Sequence, residues 1–344
     1  GDLEPARLEN GVVRATPGFA AAYRAIADGG WVGMTAAPEH GGMGLPVTLL
    51  TCVNEMMASA NMALSLCPLL SLGQIEALSA HGDAALKALY LPRLVAGDWT
   101  GTMNLTEPQA GSDVGAVRTR AEPTGDGAYA VSGTKIFISW GDHDIAENIC
   151  HLVLARLPGA AAGTKGISLF IVPKYLVNPD GTLGARNAVA CGKLEEKMGI
   201  HGNATCVMNY DGATGFLVGE PHKGLRAMFT MMNEARLSVG VQGLAQADAA
   251  CQGAAAYARD RLQGRAVTGP ENPAGPADPL IVHPDVRRAL MDQRAFVEGG
   301  RAFMLWVSVL IDQHARTADA AAEGLVSLLT PVVKGFLTDK GFEA

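Results

Sequence analysis

Two stretches of the chain carry side chains that suit a planar ring with polar edges. The first, NLTEPQAGSDVG at residues 104–115, has Pro and Gly residues that prevent a long regular element, with hydroxyls and carboxylates at the bend. The second, SGTKIFISWG at residues 132–141, predicts a strand that ends in hydroxyl and aromatic groups. Aromatic faces can stack on such a ring while hydroxyls and backbone N–H groups bond its edges. The alternative is a pair of ordinary β-turns in which Gly and Pro only shape the backbone.

The elements that must hold these stretches follow the order helix, strand, helix. Residues 1–98 favour helices, residues 99–218 favour short strands separated by turn residues, and residues 219–344 favour long Ala-rich helices. This order predicts an α+β fold with an incomplete N-terminal helical domain, a middle β domain and an incomplete C-terminal helical bundle. The strand spacing favours a small antiparallel barrel or two packed sheets.

Composition excludes several classes of protein. The net charge is −7 with no basic block, which argues against nucleic acid as the main partner. We find no run of about eighteen apolar residues and therefore expect no transmembrane span. The six cysteines form no CxxC pair, which indicates a reducing, cytoplasmic setting. His143, His151 and His201 lack a metal-ligand spacing, so we expect them to be packed or at the surface, with no metal site.

The two stretches together resemble the paired flavin loops of the acyl-CoA dehydrogenase family. The resemblance rests on LTEPQAGSDVG at 105–115 and GTKIFISWG at 133–141, and segments at 193–206, 215–236 and 243–265 extend it over nearly the whole chain. Within the family, residues 199–229 and the insert at 268–288 are most similar to the 3-methylmercaptopropionyl-CoA dehydrogenase branch. That family has the same order of helices and strands. We refer to residues 104–115 and 132–141 as the first and second flavin loops.

The resemblance implies FAD as cofactor and gives roles to residues of both loops. Leu105 and Thr106 would hydrogen-bond the pyrimidine edge of the flavin, Phe137 would pack on one face of the ring, and Ser139 would bond its N5 edge. Donors at these positions would stabilise the charge of a reduced flavin. The family more often has Trp and Thr at the positions of Phe137 and Ser139, so an aromatic face and a hydroxyl are kept while the redox tuning can differ.

Further roles follow from the same resemblance. Ser112 would serve the flavin pyrophosphate or the nearby acyl-CoA, and Met232, Asn233 and Arg236 would line the acyl-CoA channel. Arg261 would reach the flavin pyrophosphate of a neighbouring subunit, which implies a homodimer or homotetramer. From the residues alone, Arg261 could instead be a solvated arginine at a helix end. Met228, Met231 and Met232 would make an adaptable apolar wall of the channel, or instead a stripe that faces the core.

The implied reaction is α,β-dehydrogenation of an acyl-CoA thioester, either 3-methylmercaptopropionyl-CoA or a short- or medium-chain acyl-CoA. A Glu would remove the α-proton while hydride goes to flavin N5, and an electron-transfer flavoprotein would take the electrons. In this branch the base lies in a Tyr-Glu-Gly stretch that residues 1–344 lack. Glu234 is offset by one residue from an alternative base position, about 100° around a helix, so we assign no catalytic residue. We expect an inactive fragment of a longer enzyme, trimmed at both ends, with the base beyond Ala344 and FAD lost or weakly held.

Two other functions remain open at this point. A flavin-dependent oxidase or monooxygenase on the same fold would differ by a fast reaction of the reduced protein with oxygen. A non-catalytic helical scaffold would bind neither flavin nor acyl-CoA when purified at full length. The two intact flavin loops favour the dehydrogenase.

Overall fold

The computed structural model describes residues 1–344 and divides them into two compact units. Unit 1 comprises residues 1–45 and 62–235, and unit 2 comprises residues 46–61 and 236–344. Two helices run through both units, and the earlier of them is interrupted by non-helical backbone at Asn61. The helices are α1 (Phe19–Asp28), α2 (Val47–His81), α3 (Ala84–Ala96), α4 (Gly224–Asp260), α5 (Pro284–Thr317) and α6 (Ala320–Glu343). The domain boundaries expected at residues 98 and 218 stay predictions.

Strands occupy the middle of the chain, with one short hairpin before α1. They are β1 (Arg7–Glu9), β2 (Val12–Arg14), β3 (Trp99–Asn104), β4 (Arg120–Pro123), β5 (Tyr129–Ser139), β6 (Asn148–Arg156), β7 (Ile167–Pro173), β8 (Tyr175–Val177), β9 (Leu183–Arg186), β10 (Val189–Leu194) and β11 (Thr205–Val218). The predicted α+β class is therefore confirmed. The β1–β2 hairpin was not expected in the N-terminal helical region.

The middle sheet closes on itself. Pairing runs from β11 through β5, β4 and β6 to β7, which pairs again with β11, while β10 and β3 extend the two ends. The sheet is mixed, because β3 lies parallel to β6 from Trp99↔Asn148 to Asn104↔Val153. The expectation of a purely antiparallel barrel was therefore wrong. Strands β6 and β7 are buried at nearly every position, so their side chains fill the interior of unit 1.

Helix α3 shows how local chemistry delivers the chain to the sheet. The Asp83 side chain accepts a hydrogen bond from Leu86 N at 2.8 Å and caps the helix, and Gly97 ends it in the left-handed conformation. The helix continues through Pro92. Its buried Tyr90 packs edge-on against Trp99, the first residue of β3.

Unit 2 is helical and has its own core. Leu237, Leu244, Val307, Val333 and Leu337 are buried together between α4, α5 and α6. Gly243 of α4 lies against α6 so closely that an added Cβ would stand 2.5 Å from the Leu337 carbonyl oxygen. Glu55 accepts two hydrogen bonds from Arg301, at 2.6 and 2.9 Å, and is therefore a structural carboxylate of unit 2.

By length and composition alone, α2 and α6 could each cross a membrane. The apolar window of α2 is 61% buried within the protein, as in the core helix of a folded domain, whereas that of α6 is 22% buried. The absence of a membrane span stays a prediction.

We predict opposite effects of the same substitution at two glycines of α4. Gly243→Ala should lower the free energy of unfolding by about 1–3 kcal/mol, because the methyl group meets the backbone of α6. Gly253→Ala is the matched control, since nothing lies within 4 Å of its added Cβ. It should stabilise by about 0.5–1 kcal/mol. Urea unfolding of both variants measures the difference, and equal effects would contradict the close crossing of α4 and α6.

Candidate functional site

The two flavin loops meet at the ends of β3 and β5. Thr102 donates from its hydroxyl to Ser139 O at 2.8 Å, and Ile136 N donates to Thr106 O at 2.9 Å. Lys135 Nζ donates to Leu105 O at 3.1 Å. The structure thus brings Leu105 and Thr106 close to the strand end that carries Ser139, although the two loops are separated in the sequence.

A β-bulge turns Phe137 out of the sheet. Between the pairs Lys135↔Met208 and Ile138↔Cys206, strand β5 has two residues where β11 has one. Phe137 has φ of 59°, which is rare for a bulky side chain, and the residue is 61% exposed. Backbone strain of this kind is concentrated at functional sites, because surrounding structure must hold it in place. The bulge also frees Ile136 N from the ladder to bond Thr106.

Hydrogen-bonding groups beside this ring are open. The Thr106 N–H, the Thr106 hydroxyl and the Ser139 hydroxyl form no hydrogen bond within the protein, and both residues are half-buried. Half-buried polar groups without a protein partner must bond water or a ligand. Together with the exposed face of Phe137, they form a surface that can stack on a flat ring and bond its polar edge.

A buried ion pair lies directly behind these groups. Lys135 Nζ is 2.8 Å from Glu107 Oε1, and the two side chains are 0% and 3% exposed. Burial raises the pKa of Glu107, but the charge and hydrogen bond of Lys135, with further bonds from Thr119 and Arg118, outweigh burial and lower the pKa to about 2. Burial lowers the pKa of Lys135 to about 8, against the opposing charge of Glu107. Glu107 is therefore an ionised structural group and not a proton acceptor for substrate.

The remainder of the first flavin loop is held by Arg156 of β6. Its guanidinium donates to Val117 O at 2.7 Å and to Gly115 O at 2.6 Å, and also to Gly163 O at 2.9 Å. Ser112 is exposed on this loop and its hydroxyl has no partner within the protein. The position is open to a ligand, and the role predicted for Ser112 stays a prediction.

A polar network lies under the end of β3. Tyr210 Oη donates to Asn104 Oδ1 at 2.8 Å, and the Asn104 amide is 3.4 Å from His151 Nδ1. His151 is fully buried with Nε2 unpartnered, and burial lowers its pKa to about 3, so the ring is neutral. The histidine is packed, as the sequence indicated, and the network stiffens the strand that leads into the first flavin loop.

Arg261 lies in unit 2, immediately after the end of α4, with its side chain exposed. The insert that follows is ordered around Asp278, which is 0% exposed and accepts from Ala266 N at 2.9 Å, Asn272 N at 2.8 Å and Arg265 Nη1 at 3.3 Å. Leu280 N donates to Arg261 O at 2.9 Å, so the backbone of Arg261 is fixed while its guanidinium is free to reach a ligand.

The predicted channel residues lie along α4 in different environments. Met232 is half-buried against the core of unit 1, and Asn233 is exposed. Arg236 is half-buried and belongs to unit 2. Met228 and Met231 are fully buried in the core of unit 1, so the reading of these two as a core-facing stripe is the right one. Glu234 is half-buried on the same helix.

Sequence reasoning missed the bulge, the Glu107–Lys135 ion pair and the loop contacts of Arg156. The Lys in GTKIF was a possible signal for the ion pair, since a charged residue stands where a strand alternates into the core. Across the whole chain, no group of three or more His, Cys, Asp or Glu residues could hold a metal ion.

Two family models match most of the chain in succession. The N-terminal domain of acyl-CoA dehydrogenases matches residues 7–98, and the middle domain matches residues 102–213. Among curated proteins, 3-methylmercaptopropionyl-CoA dehydrogenase of Ruegeria pomeroyi is 51% identical over 347 residues, which is 100% of this chain and 58% of that protein. Butyryl-CoA dehydrogenase of Syntrophomonas wolfei is 36% identical over 93% of this chain and 54% of its own length. The chain thus spans little more than half the length of these relatives.

One relative is covered more fully. Acryloyl-CoA reductase (NADH) of Anaerotignum propionicum is 31% identical over 82% of this chain and 69% of that protein.

Solved structures share the fold at lower identity. Caenorhabditis elegans ACDH-11 in complex with C11-CoA has a TM-score of 0.81 and 20% identity, covering 99% of this chain and 57% of that one. Acyl-CoA dehydrogenase of Bacillus anthracis complexed with FAD has a TM-score of 0.74 and 22% identity, covering 94% of this chain and 51% of that one. A structure described as the electron transferring flavoprotein of Acidaminococcus fermentans also has a TM-score of 0.74 and 22% identity, covering 94% of this chain and 78% of that one. With its matched family models, its relatives and this fold, the chain belongs to the acyl-CoA dehydrogenase family.

Proposed function

We propose that this chain forms the flavin-binding part of an FAD-dependent acyl-CoA dehydrogenase that introduces an α,β double bond into an acyl-CoA thioester. The carrying observation is the exposed Phe137 ring at a strained bulge, beside the unpartnered donors of Thr106 and Ser139. The preferred substrate is 3-methylmercaptopropionyl-CoA, supported by the 51% identical relative, with short- and medium-chain acyl-CoA as the broader class.

The residues present fit FAD in the type and arrangement of their groups. When bound, FAD supplies the acceptor for the hydride that leaves the acyl β-carbon. Phe137 offers a face for the ring, while the Thr106 N–H and hydroxyl and the Ser139 hydroxyl offer donors to its edge. The guanidinium of Arg261 suits a pyrophosphate, since its planar fork can bond two oxygens at once. These groups bind and orient the cofactor, and we assign no catalytic base among residues 1–344.

Acyl-CoA is the proposed substrate, with Ser112, Met232, Asn233 and Arg236 as candidate contacts. An electron-transfer flavoprotein is the proposed acceptor. Assembly into a homodimer or homotetramer is supported by an exposed apolar row on α6, a kind of surface that usually marks an interface. The row consists of Leu325, Leu328, Val332 and Phe336.

The first test removes the open donors. In protein produced from the complete reading frame, Thr106→Val with Ser139→Val should weaken FAD binding, because each lost hydrogen bond is worth about 1 kcal/mol net. Flavin absorbance, FAD titration and dye-coupled turnover on a panel of acyl-CoA thioesters measure the effect. An unaltered FAD affinity and flavin potential in the double variant would exclude these groups as flavin ligands.

The second test separates the binding role of Phe137 from stability. Phe137→Gly relieves an unfavourable backbone conformation of about 1–2 kcal/mol, and the added flexibility of the unfolded chain offsets about 0.4–1 kcal/mol of that gain. Since Phe137 is 61% exposed, little buried area is lost and the melting temperature should hardly change. FAD affinity should fall severalfold through lost stacking. Phe137→Trp is the control that keeps the aromatic face; a loss of FAD there equal to that in the glycine variant would argue against stacking.

The third test asks whether Arg261 serves the flavin of a neighbouring subunit. Arg261→Met should lower FAD affinity, whereas Arg288→Met, which removes an exposed arginine of the same unit paired with Asp292, should not. Mixed oligomers of the Arg261→Met subunit and the Thr106→Val, Ser139→Val subunit should regain tight FAD binding at half of the sites, since one site then has both intact parts. No recovery on mixing, in protein shown by sedimentation to be oligomeric, would mean that Arg261 acts within its own subunit or elsewhere.

A further inference from the structure

The peptide between Leu105 and Thr106 is fixed from both sides. Its carbonyl oxygen accepts from Lys135 Nζ at 3.1 Å. A trans peptide is planar with its C=O and N–H pointing in opposite directions, so the Thr106 N–H is directed away from Lys135. The following carbonyl, Thr106 O, accepts from Ile136 N at 2.9 Å. Neither peptide plane at Thr106 can rotate without breaking one of these bonds, and the Thr106 N–H is left without a protein partner.

Lys135 is in turn anchored by Glu107. The carboxylate accepts from Lys135 Nζ at 2.8 Å and is itself held on the neighbouring chain segment by Thr119 Oγ1 at 2.6 Å and Arg118 N at 2.7 Å. Gln109 Nε2 also donates to it at 2.6 Å. The ammonium group therefore has one defined location, from which it reaches the Leu105 carbonyl.

The buried Glu107–Lys135 ion pair is not well explained by a contribution to the stability of the fold. Removing two charges from water costs free energy that their attraction only partly returns, and apolar replacements of similar size are often neutral or stabilising. A buried ion pair beside a ligand-binding loop is better explained by the geometry that it imposes. Here the geometry directs the unpartnered Thr106 N–H away from the buried ammonium of Lys135.

We propose that Lys135 and Glu107 are positioning residues for the flavin: they orient the Leu105–Thr106 peptide so that the Thr106 N–H bonds the ring edge. The proposal rests on the proposed FAD-binding function. It gives these two residues no contact with substrate, cofactor or reacting atoms.

The test uses the holoenzyme from the complete reading frame, with Lys135→Met and Glu107→Gln combined so that no buried charge is left unpaired. We expect FAD affinity to fall about tenfold, because one hydrogen bond is lost and its peptide can rotate. The flavin midpoint potential and the shape of its visible absorption bands should shift as well, and a purely structural role would leave both unchanged. Thr119→Val, which removes the 2.6 Å bond to Glu107 and no charge, should give a smaller change in the same direction.

The matched control removes another buried ion pair of unit 1. Lys174 Nζ bonds Asp142 Oδ1 at 2.6 Å and His143 O at 2.8 Å, with no contact to Leu105 or Thr106. Lys174→Met with Asp142→Asn should alter the melting temperature without a shift of flavin potential.

The outcomes separate the two proposals. If the wild-type protein binds no FAD, the proposed function fails and the positioning role fails with it. If the wild type binds FAD, and the folded Lys135→Met, Glu107→Gln protein keeps its affinity, potential and spectrum, the positioning role is overturned while the function stands. Should that double variant not fold, Thr119→Val decides: an unchanged potential and affinity overturn the role, and a shift in both supports it.

Discussion

The contact between the end of β3 and the bulge of β5 is the constraint on which the rest of the site depends. The first flavin loop is irregular beyond the end of β3, so its carbonyls cannot be satisfied through a ladder of its own. Lys135 and Ile136 of the second loop supply donors to the carbonyls of Leu105 and Thr106 in the first. Because these two donors are already bonded to the first loop, the Thr106 N–H, the two hydroxyls of Thr106 and Ser139 and the exposed ring of Phe137 remain available to a ligand.

The bulge in β5 both allows the contact between the two loops and places Phe137 in a strained backbone conformation. In an unbroken ladder, Ile136 and Phe137 would each be paired with a residue of β11. Adding one residue to β5 breaks the ladder, turns Phe137 to a positive φ and frees Ile136 N for Thr106. The strand pairing that flanks the bulge, from Thr205↔Ser139 to Gly215↔Tyr129, stabilises the strained backbone at Phe137.

Much of this fold followed from residue patterns, and the failures have a common physical cause. The order of helices and strands was predictable because periodicity and turn residues are local signals, whereas the pairing of the two flavin loops followed from the family resemblance. The parallel pairing of β3 with β6 was not, since a strand's partner is set by distant sequence. Met228 and Met231 were ambiguous because methionine suits both a core and an adaptable channel wall. Lys135 signalled a charge in a strand that faces the core, but no local pattern tells which carboxylate will neutralise a buried ammonium.

Cationic side chains donate hydrogen bonds to loop carbonyls in the flavin loops and also elsewhere in the protein. Lys135 bonds Leu105 O, Arg156 bonds Gly115 O and Val117 O, and Arg265 bonds Asn272 O and Gly275 O. In each case one cationic side chain takes the place of the ladder donors that an irregular segment lacks.

Two of these cations are also tied to a carboxylate that is almost fully buried. Lys135 is paired with Glu107 and Arg265 with Asp278, and those carboxylates accept further backbone N–H groups. Backbone geometry is thereby fixed from inside the protein, while the side chains left at the surface, such as Thr106 and Arg261, need no internal partner. A loop built in this way can present donors to a ligand without rearranging, so less conformational entropy is lost when the ligand binds.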